Sequence, residues 1–315
     1  MSIFSFGATK STRLKFLDGL RAIAALYVLF HHARNATFAD RAYSGKGLLN
    51  VVTFPFAYGH LAVAMFIVLR VFLCQDISHS ILWEWNLPLW SIAVEWRIYL
   101  IFPLIVVGIG RFGVEKTVLT TRLCSLVLLL GLAILAPLAP GLTIHLMEPV
   151  GVMPQLLGLF GFGVLAALWS RSGSRLSKRQ LRLGAVVGMG LAVGLEVIWQ
   201  KSGRELPRFV SDYPFGLGAG CLLAYLAQTP TSRLRALVEW RPLVALGAIS
   251  YSVYLLHQPI IGLISRGLMS RLPLSHVASF MLLSALSLLV TLAVSGIFFR
   301  IVEQPTLRKV ARARC

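Results

Sequence analysis

Of the 315 residues, 57% are hydrophobic and only 13% are charged, and the mean hydropathy is +0.77. Soluble domains carry about a quarter charged residues, so this composition excludes an ordinary water-soluble enzyme and points to a chain with several membrane spans. The formal net charge of +18 does not signal nucleic acid, because Lys and Arg gather in short segments between apolar runs, where they act as topology signals and contacts to anionic lipid.

The first apolar run starts at Leu17, behind Lys10, Arg13 and Lys15. No small-residue cleavage site follows it, so it reads as an uncleaved first span with a cytoplasmic N-terminus. A spanning helix needs roughly 20 apolar residues, fewer where the bilayer thins. Nine runs qualify, near 17–33, 58–74, 92–110, 123–140, 151–170, 182–199, 209–227, 242–265 and 278–302. Turn residues and charges separate them, as in "APLAPG" and "RSGSRLSKRQLR". The expected fold is therefore all-α, a polytopic integral membrane helix bundle of about nine spans in one domain over residues 1–315. Metal or disulfide scaffolding is not indicated, since the four cysteines have no C-x-x-C or Cys/His spacing.

Loop charges assign sides to these spans. The tail "RKVARARC", the 228–241 loop, residues 171–182 and the loop with Arg111, Lys116 and Arg122 are basic and read as cytoplasmic, whereas 141–150 has no Lys or Arg and reads as outer. Counted back from the tail, the 92–110 span begins outside. Counted forward from a cytoplasmic N-terminus, residues 75–90 lie inside. The counts differ by one crossing, so either the N-terminus is outside or a span is missing between Leu69 and Pro88.

Polar residues inside apolar runs mark the candidate chemistry. Arg21 and His32 are eleven residues apart, which at about 100° per residue returns them to one face, about 16 Å apart along the axis. Asp18 joins that stripe, and His31 points about 100° away. Interfacial anchoring of Asp18 and Arg21 is the competing explanation. In "PLWSIAVEWRIYLIFP", Ser91, Glu95 and Tyr99 follow i, i+4, i+8 along one helical face. Glu95 is either a functional carboxylate or an interfacial acid beside Arg97. In "AISYSVYLLHQP", Ser250, Tyr254 and His257 form a third stripe, of a kind that commonly ties helices together by hydrogen bonds. Arg300 and Glu303 have the spacing of a local ion pair, and Gly158, Gly161 and Gly163 read as close helix packing. An intramembrane histidine, arginine, serine and carboxylate together allow general-base attack by a hydroxyl, with an anionic donor held by arginine.

Five segments, "FLDGLRAIAALYVLFHH", "GHLAVAMFIVL", "PLWSIAVEWRIYLIFP", "ISYSVYLLHQP" and "IVEQP", resemble in order the successive motifs of the acyltransferase 3 family. These are multi-span bacterial proteins that O-acylate sugars and other extracytoplasmic acceptors. The match runs from Phe16 to Pro305. It implies about ten spans in the bacterial cytoplasmic membrane, with both termini cytoplasmic in the intact topology. It implies an acyl-CoA donor, usually acetyl-CoA, as co-substrate with no bound cofactor, and a carbohydrate or glycolipid acceptor outside. By the resemblance His32, Glu95 and Ser91 are catalytic, while Arg21, Asp18, Tyr99 and His257 bind substrate. After "MFIVL" the family continues with "SGF", a basic cytoplasmic loop and another span. This chain runs instead from Leu69 into "RVFLCQDISHS", so the resemblance also places a missing segment between 69 and 88. Two further readings stay open: a shortened, catalytically impaired relative, and a transporter whose polar stripes line a pathway.

Overall fold

The computed structural model describes residues 14–38, 56, 90–135, 138, 154–171, 176–201 and 208–305, and for 90–100, 132–133, 154–155 and 208–209 the backbone alone. All regular structure among these residues is helical. In chain order the helices are α1 (Lys15–Thr37), α2 (Trp90–Phe112), α3 (Val114–Leu135), α4 (Pro154–Trp169), α5 (Lys178–Lys201), α6 (Arg208–Gln228), α7 (Arg233–Val238), α8 (Arg241–Ala248), α9 (Ser250–Gly267) and α10 (His276–Phe298), the last running into a wider turn at Phe299–Glu303.

Local chemistry sets several of these boundaries. In α1, Asp18 in the first turn and Arg34 in the last complement the helix dipole. A reciprocal capping box opens α5: Gln180 N–H donates to Ser177 Oγ, and Ser177 N–H donates to Gln180 Oε1. Ser232 and Ser275 accept from Arg235 N–H and Ala278 N–H to start α7 and α10. Gly113 separates α2 from α3 with φ +84°, which a residue without Cβ adopts freely.

Two expectations change. The run expected at 123–140 starts nine residues earlier, at Val114, because the chain re-enters a helix directly after Gly113. Lys116 and Arg122 are therefore helical residues rather than loop charges. The run at 242–265 is not one straight helix: α8 and the helical stretch from Ser250 are bent by 73° about Ile249, whose ψ of 8° leaves the α region. Among the described residues, Lys178–Lys201 and His276–Glu303 are long and apolar enough to cross a membrane, with a third span if the bent pair counts as one. The span expected at 58–74 and the interval from Leu69 to Pro88 lie outside the described residues.

Hydrogen bonds and ring contacts fix the relative directions of the helices. At one end of the bundle, Arg235 stacks on Phe16 and donates to the Leu226 carbonyl, and Gln228 donates to the Trp169 carbonyl. This end collects the start of α1, the ends of α4 and α6, and α7 with its arginines. At the opposite end of α1, Phe38 stacks against His276 and Phe280 at the start of α10. In α3 and α4, Arg122 lies over Phe162 while Ser125 shares Tyr213 with Gly158, so the two run antiparallel. Following α3 back through Gly113 shows that α2 runs opposite to α1.

Small residues allow close helix contact, the usual means of association where lipid replaces water. In α5 and α6, a Cβ on Gly188 would lie 2.7 Å from the Pro214 carbonyl oxygen and 2.8 Å from the Gly218 Cα. The main core joins Phe16, Leu20 and Val28 of α1 to Leu159 and Phe162 of α4 and Leu223 of α6. A second cluster sets Leu29 and Ala33 against Ile261 and Leu283, which packs α1 against α9 and α10.

Candidate active site

The polar face of α1 points at α9 and α10. Near its start, Asp18 is buried and its carboxylate lies 3.6 Å from the Arg21 guanidinium. Arg21 is also within electrostatic reach of Glu303. The Glu303 carboxylate accepts a hydrogen bond from the Ser252 hydroxyl. Asp18 thus pairs with Arg21 on α1, and Ser252 of α9 pairs with Glu303 after α10, both at the arginine-rich end. Among the described residues Glu303 makes no ion pair with Arg300, so the expected local pair is replaced by a contact between helices. The wider turn over Phe299–Glu303 shifts the carboxylate's register around the axis relative to a regular α-helix.

The two adjacent histidines separate by their partners. His31 Nδ1–H donates to the Phe56 carbonyl at 2.7 Å, which leaves Nε2 to accept from Asn35 at 3.0 Å. A carbonyl can only accept, so this tautomer follows from the geometry. Both His31 nitrogens are committed. The His32 ring makes no hydrogen bond among the described residues, and it faces His257 with ring centroids 5.1 Å apart. His257 is fully buried on α9, and its Nδ1 lies 2.6 Å from the Tyr254 carbonyl oxygen. Ser250 and Tyr254 are also buried, and the Ser250 hydroxyl is bonded to the Gly247 carbonyl at 2.8 Å.

From the expected set the structure pairs Asp18 with Arg21 near the start of α1 and His32 with His257 near its end. Ser91, Glu95 and Tyr99 lie on the first half of α2, and their side chains fall outside the described residues. Ser252 was not singled out, and Glu303 was expected only as the local partner of Arg300. Ser252 and Glu303 are 51 residues apart, and no spacing rule connects them.

A row of hydroxyls on α10 was also passed over. Ser284, Ser287, Thr291 and Ser295 repeat at three- and four-residue intervals and are buried, and none of the four hydroxyls has a hydrogen-bond partner among the described residues. Their spacing is legible as a helical stripe. The row runs from the level of Leu283, packed on Leu29 and Ala33, toward Glu303. A buried hydroxyl left unpaired costs about 1–3 kcal/mol. Replacing Thr291 by Val keeps the shape and removes that penalty, so the thermal midpoint of the purified protein in nanodiscs should rise. A lower midpoint would show that the hydroxyl is bonded in the membrane.

Separate polar contacts tie α3 to α6 and α4, and α6 to α5. Ser125 and the Tyr213 hydroxyl are 2.7 Å apart, Arg122 sits 4.2 Å over the Phe162 ring, and the Ser211 hydroxyl donates to Glu196 of α5. A cation over a ring face is a stabilising arrangement inside an apolar bundle. Gly158 makes room for the Tyr213 hydroxyl, which a Cβ there would overlap.

The helices carry an imidazole without a hydrogen bond among the described residues at one depth and a carboxylate-held arginine at another. The comparisons give the class: an acyltransferase domain model matches residues 71–300, and the chain belongs to that family of enzymes. Helix α1 precedes the matched residues. Among curated proteins the chain is similar to the O-acetyltransferase OatA of Staphylococcus aureus strains NCTC 8325 / PS 47, COL and MRSA252. Each is 26% identical over 232 residues, covering 71% of this chain and 36% of the relative. The matched region is thus about a third of the length of these curated relatives. No solved structure matches the chain.

Proposed function

We propose that the protein is a polytopic membrane O-acyltransferase moving an acyl group, acetyl in the simplest case, from acyl-CoA to a hydroxyl of a cell-surface carbohydrate. One observation carries the reading: of two adjacent histidines, His32 is the one whose ring makes no hydrogen bond among the described residues, on the face that also holds Arg21. Family membership and the similarity to O-acetyltransferases support the reaction class.

In this reading neutral His32 takes the proton of the acceptor hydroxyl as its oxygen attacks the thioester carbonyl. The tetrahedral intermediate collapses, the C–S bond breaks, and the thiolate leaves with the proton returned by His32. An ester and free CoA thiol result. Arg21, paired with Asp18, faces the anionic donor from the arginine-rich end, which is cytoplasmic by the positive-inside rule. The family resemblance assigns Ser91, Glu95 and Tyr99 to the same site. The bundle lies in a bacterial cytoplasmic membrane with about nine spans.

The test is acetyl transfer from radiolabelled acetyl-CoA to polysaccharide by the purified chain in nanodiscs, together with mass spectrometry of surface glycans with and without the gene. A lost acetyl increment on deletion, restored by this chain, is the expected result. Failure to restore it despite normal membrane insertion would favour a shortened, inactive relative, a reading motivated by the direct passage from Leu69 to "RVFLCQDISHS".

A further inference from the structure

The tautomer of His257 can be assigned. Its Nδ1 lies 2.6 Å from the Tyr254 carbonyl oxygen and 3.3 Å from that of Val253. Both oxygens only accept, so Nδ1 carries the hydrogen and Nε2 keeps a lone pair. That Nε2 is buried and has no hydrogen-bond partner among the described residues. Leaving a buried acceptor unpaired is costly, and the ring beside it is His32. His31 is as near to His32, with ring centroids 5.2 Å apart, but its acceptor nitrogen is taken by Asn35. Among the described imidazoles around His32, His257 Nε2 is the open acceptor.

We propose that His257 is the positioning residue for His32. Its Nε2 takes the N–H of one His32 nitrogen in the working site, so the other His32 nitrogen presents its lone pair to the acceptor hydroxyl. When His32 takes up the proton, the same bond holds the imidazolium, and His257 itself neither gains nor loses a proton. The proposal rests on His32 as the base. It replaces the expectation that His257 binds substrate, since a residue this deeply buried on α9 reaches the reaction through its neighbour.

The experiment is a cycle of His32→Ala, His257→Leu, His257→Gln and the His32→Ala/His257→Leu pair, assayed in nanodiscs with acetyl-CoA and polysaccharide. His257→Leu should lower kcat about 10- to 100-fold, by analogy with outer-shell groups that orient metal-bound histidines, with both KM values unchanged. His257→Gln should recover much of this, because the amide oxygen accepts where Nε2 did. In the His32→Ala background His257→Leu should have no further effect. A raised KM at constant kcat, an equal loss in the His32→Ala background, or Gln no better than Leu would each overturn the proposal and leave His32 as base untouched. Wild-type turnover by His32→Ala would overturn both.

A second readout does not need turnover. In ¹⁵N-histidine spectra, His257 should show a protonated Nδ1 and a bare Nε2, and the His32 tautomer should change in His257→Leu. His32 signals indifferent to that substitution would also overturn the proposal.

Discussion

His32→Ala should remove acyl transfer and leave the bundle intact, whereas His31→Ala should do nearly the reverse. The two side chains are adjacent, so the contrast isolates what each ring does. His31 holds two hydrogen bonds, one to the Phe56 carbonyl and one from Asn35. Each is worth about 0.5–1.5 kcal/mol net, so His31→Ala should lower the thermal midpoint while turnover per folded molecule stays near wild type. His32 holds no hydrogen bond among the described residues, and its removal costs only ring contacts. A positioned general base contributes about 10²- to 10⁴-fold, and that is the loss expected in kcat for His32→Ala. Initial rates and melting curves on the same nanodisc preparations check both halves. Equal losses of rate in the two variants would remove the distinction between the rings.

The distinction was legible in part before any coordinates. The eleven-residue spacing puts Arg21 and His32 on one face and turns His31 away, because that follows from helix geometry alone. Helix positions inside long apolar runs were legible for the same reason, and α1, α5, α6 and α10 fall close to the expected runs. What the spacing could not show is any partner on another helix. Ser252 and Glu303 meet only because α9 and α10 pack together, and the Arg300–Glu303 spacing pointed to the nearer arginine instead. Arg122 was read as a loop charge because arginine is costly in a span. Its guanidinium is accommodated over the Phe162 ring, and no local pattern encodes that contact. The bend at Ile249 escaped notice because the apolar run continues through it without Gly-Pro punctuation at that residue.

The contacts of α1 with α7 and α8 depend on glycine, and substitution there should have the other large effect. Folding α8 back against α1 brings two glycines onto backbone. A Cβ on Gly247 would overlap the Asp18 carbonyl, and a Cβ on Gly19 would overlap the Val238 carbonyl. Neither obstacle is a side chain, so no change of rotamer relieves it, and the start of α1 must move away from α7 and α8. Overpacking of this kind costs about 1–3 kcal/mol. The functional cost should be larger, because Asp18 and Arg21 are carried on the displaced segment while Glu303 and Ser252 are not. A misplacement of about 1 Å can lower a rate about 100-fold. Gly19→Ala and Gly247→Ala should therefore lose transfer well beyond their loss of melting temperature, chiefly through a raised KM for acetyl-CoA at the Arg21 end. Gly190→Ala in α5 is the control, since a Cβ there meets nothing within 4 Å. It should keep full activity and gain a few tenths to about 1 kcal/mol from helix propensity. Full activity in Gly247→Ala, with an unchanged KM for acetyl-CoA, would show that the contact between α1 and α8 does not hold the arginine in place.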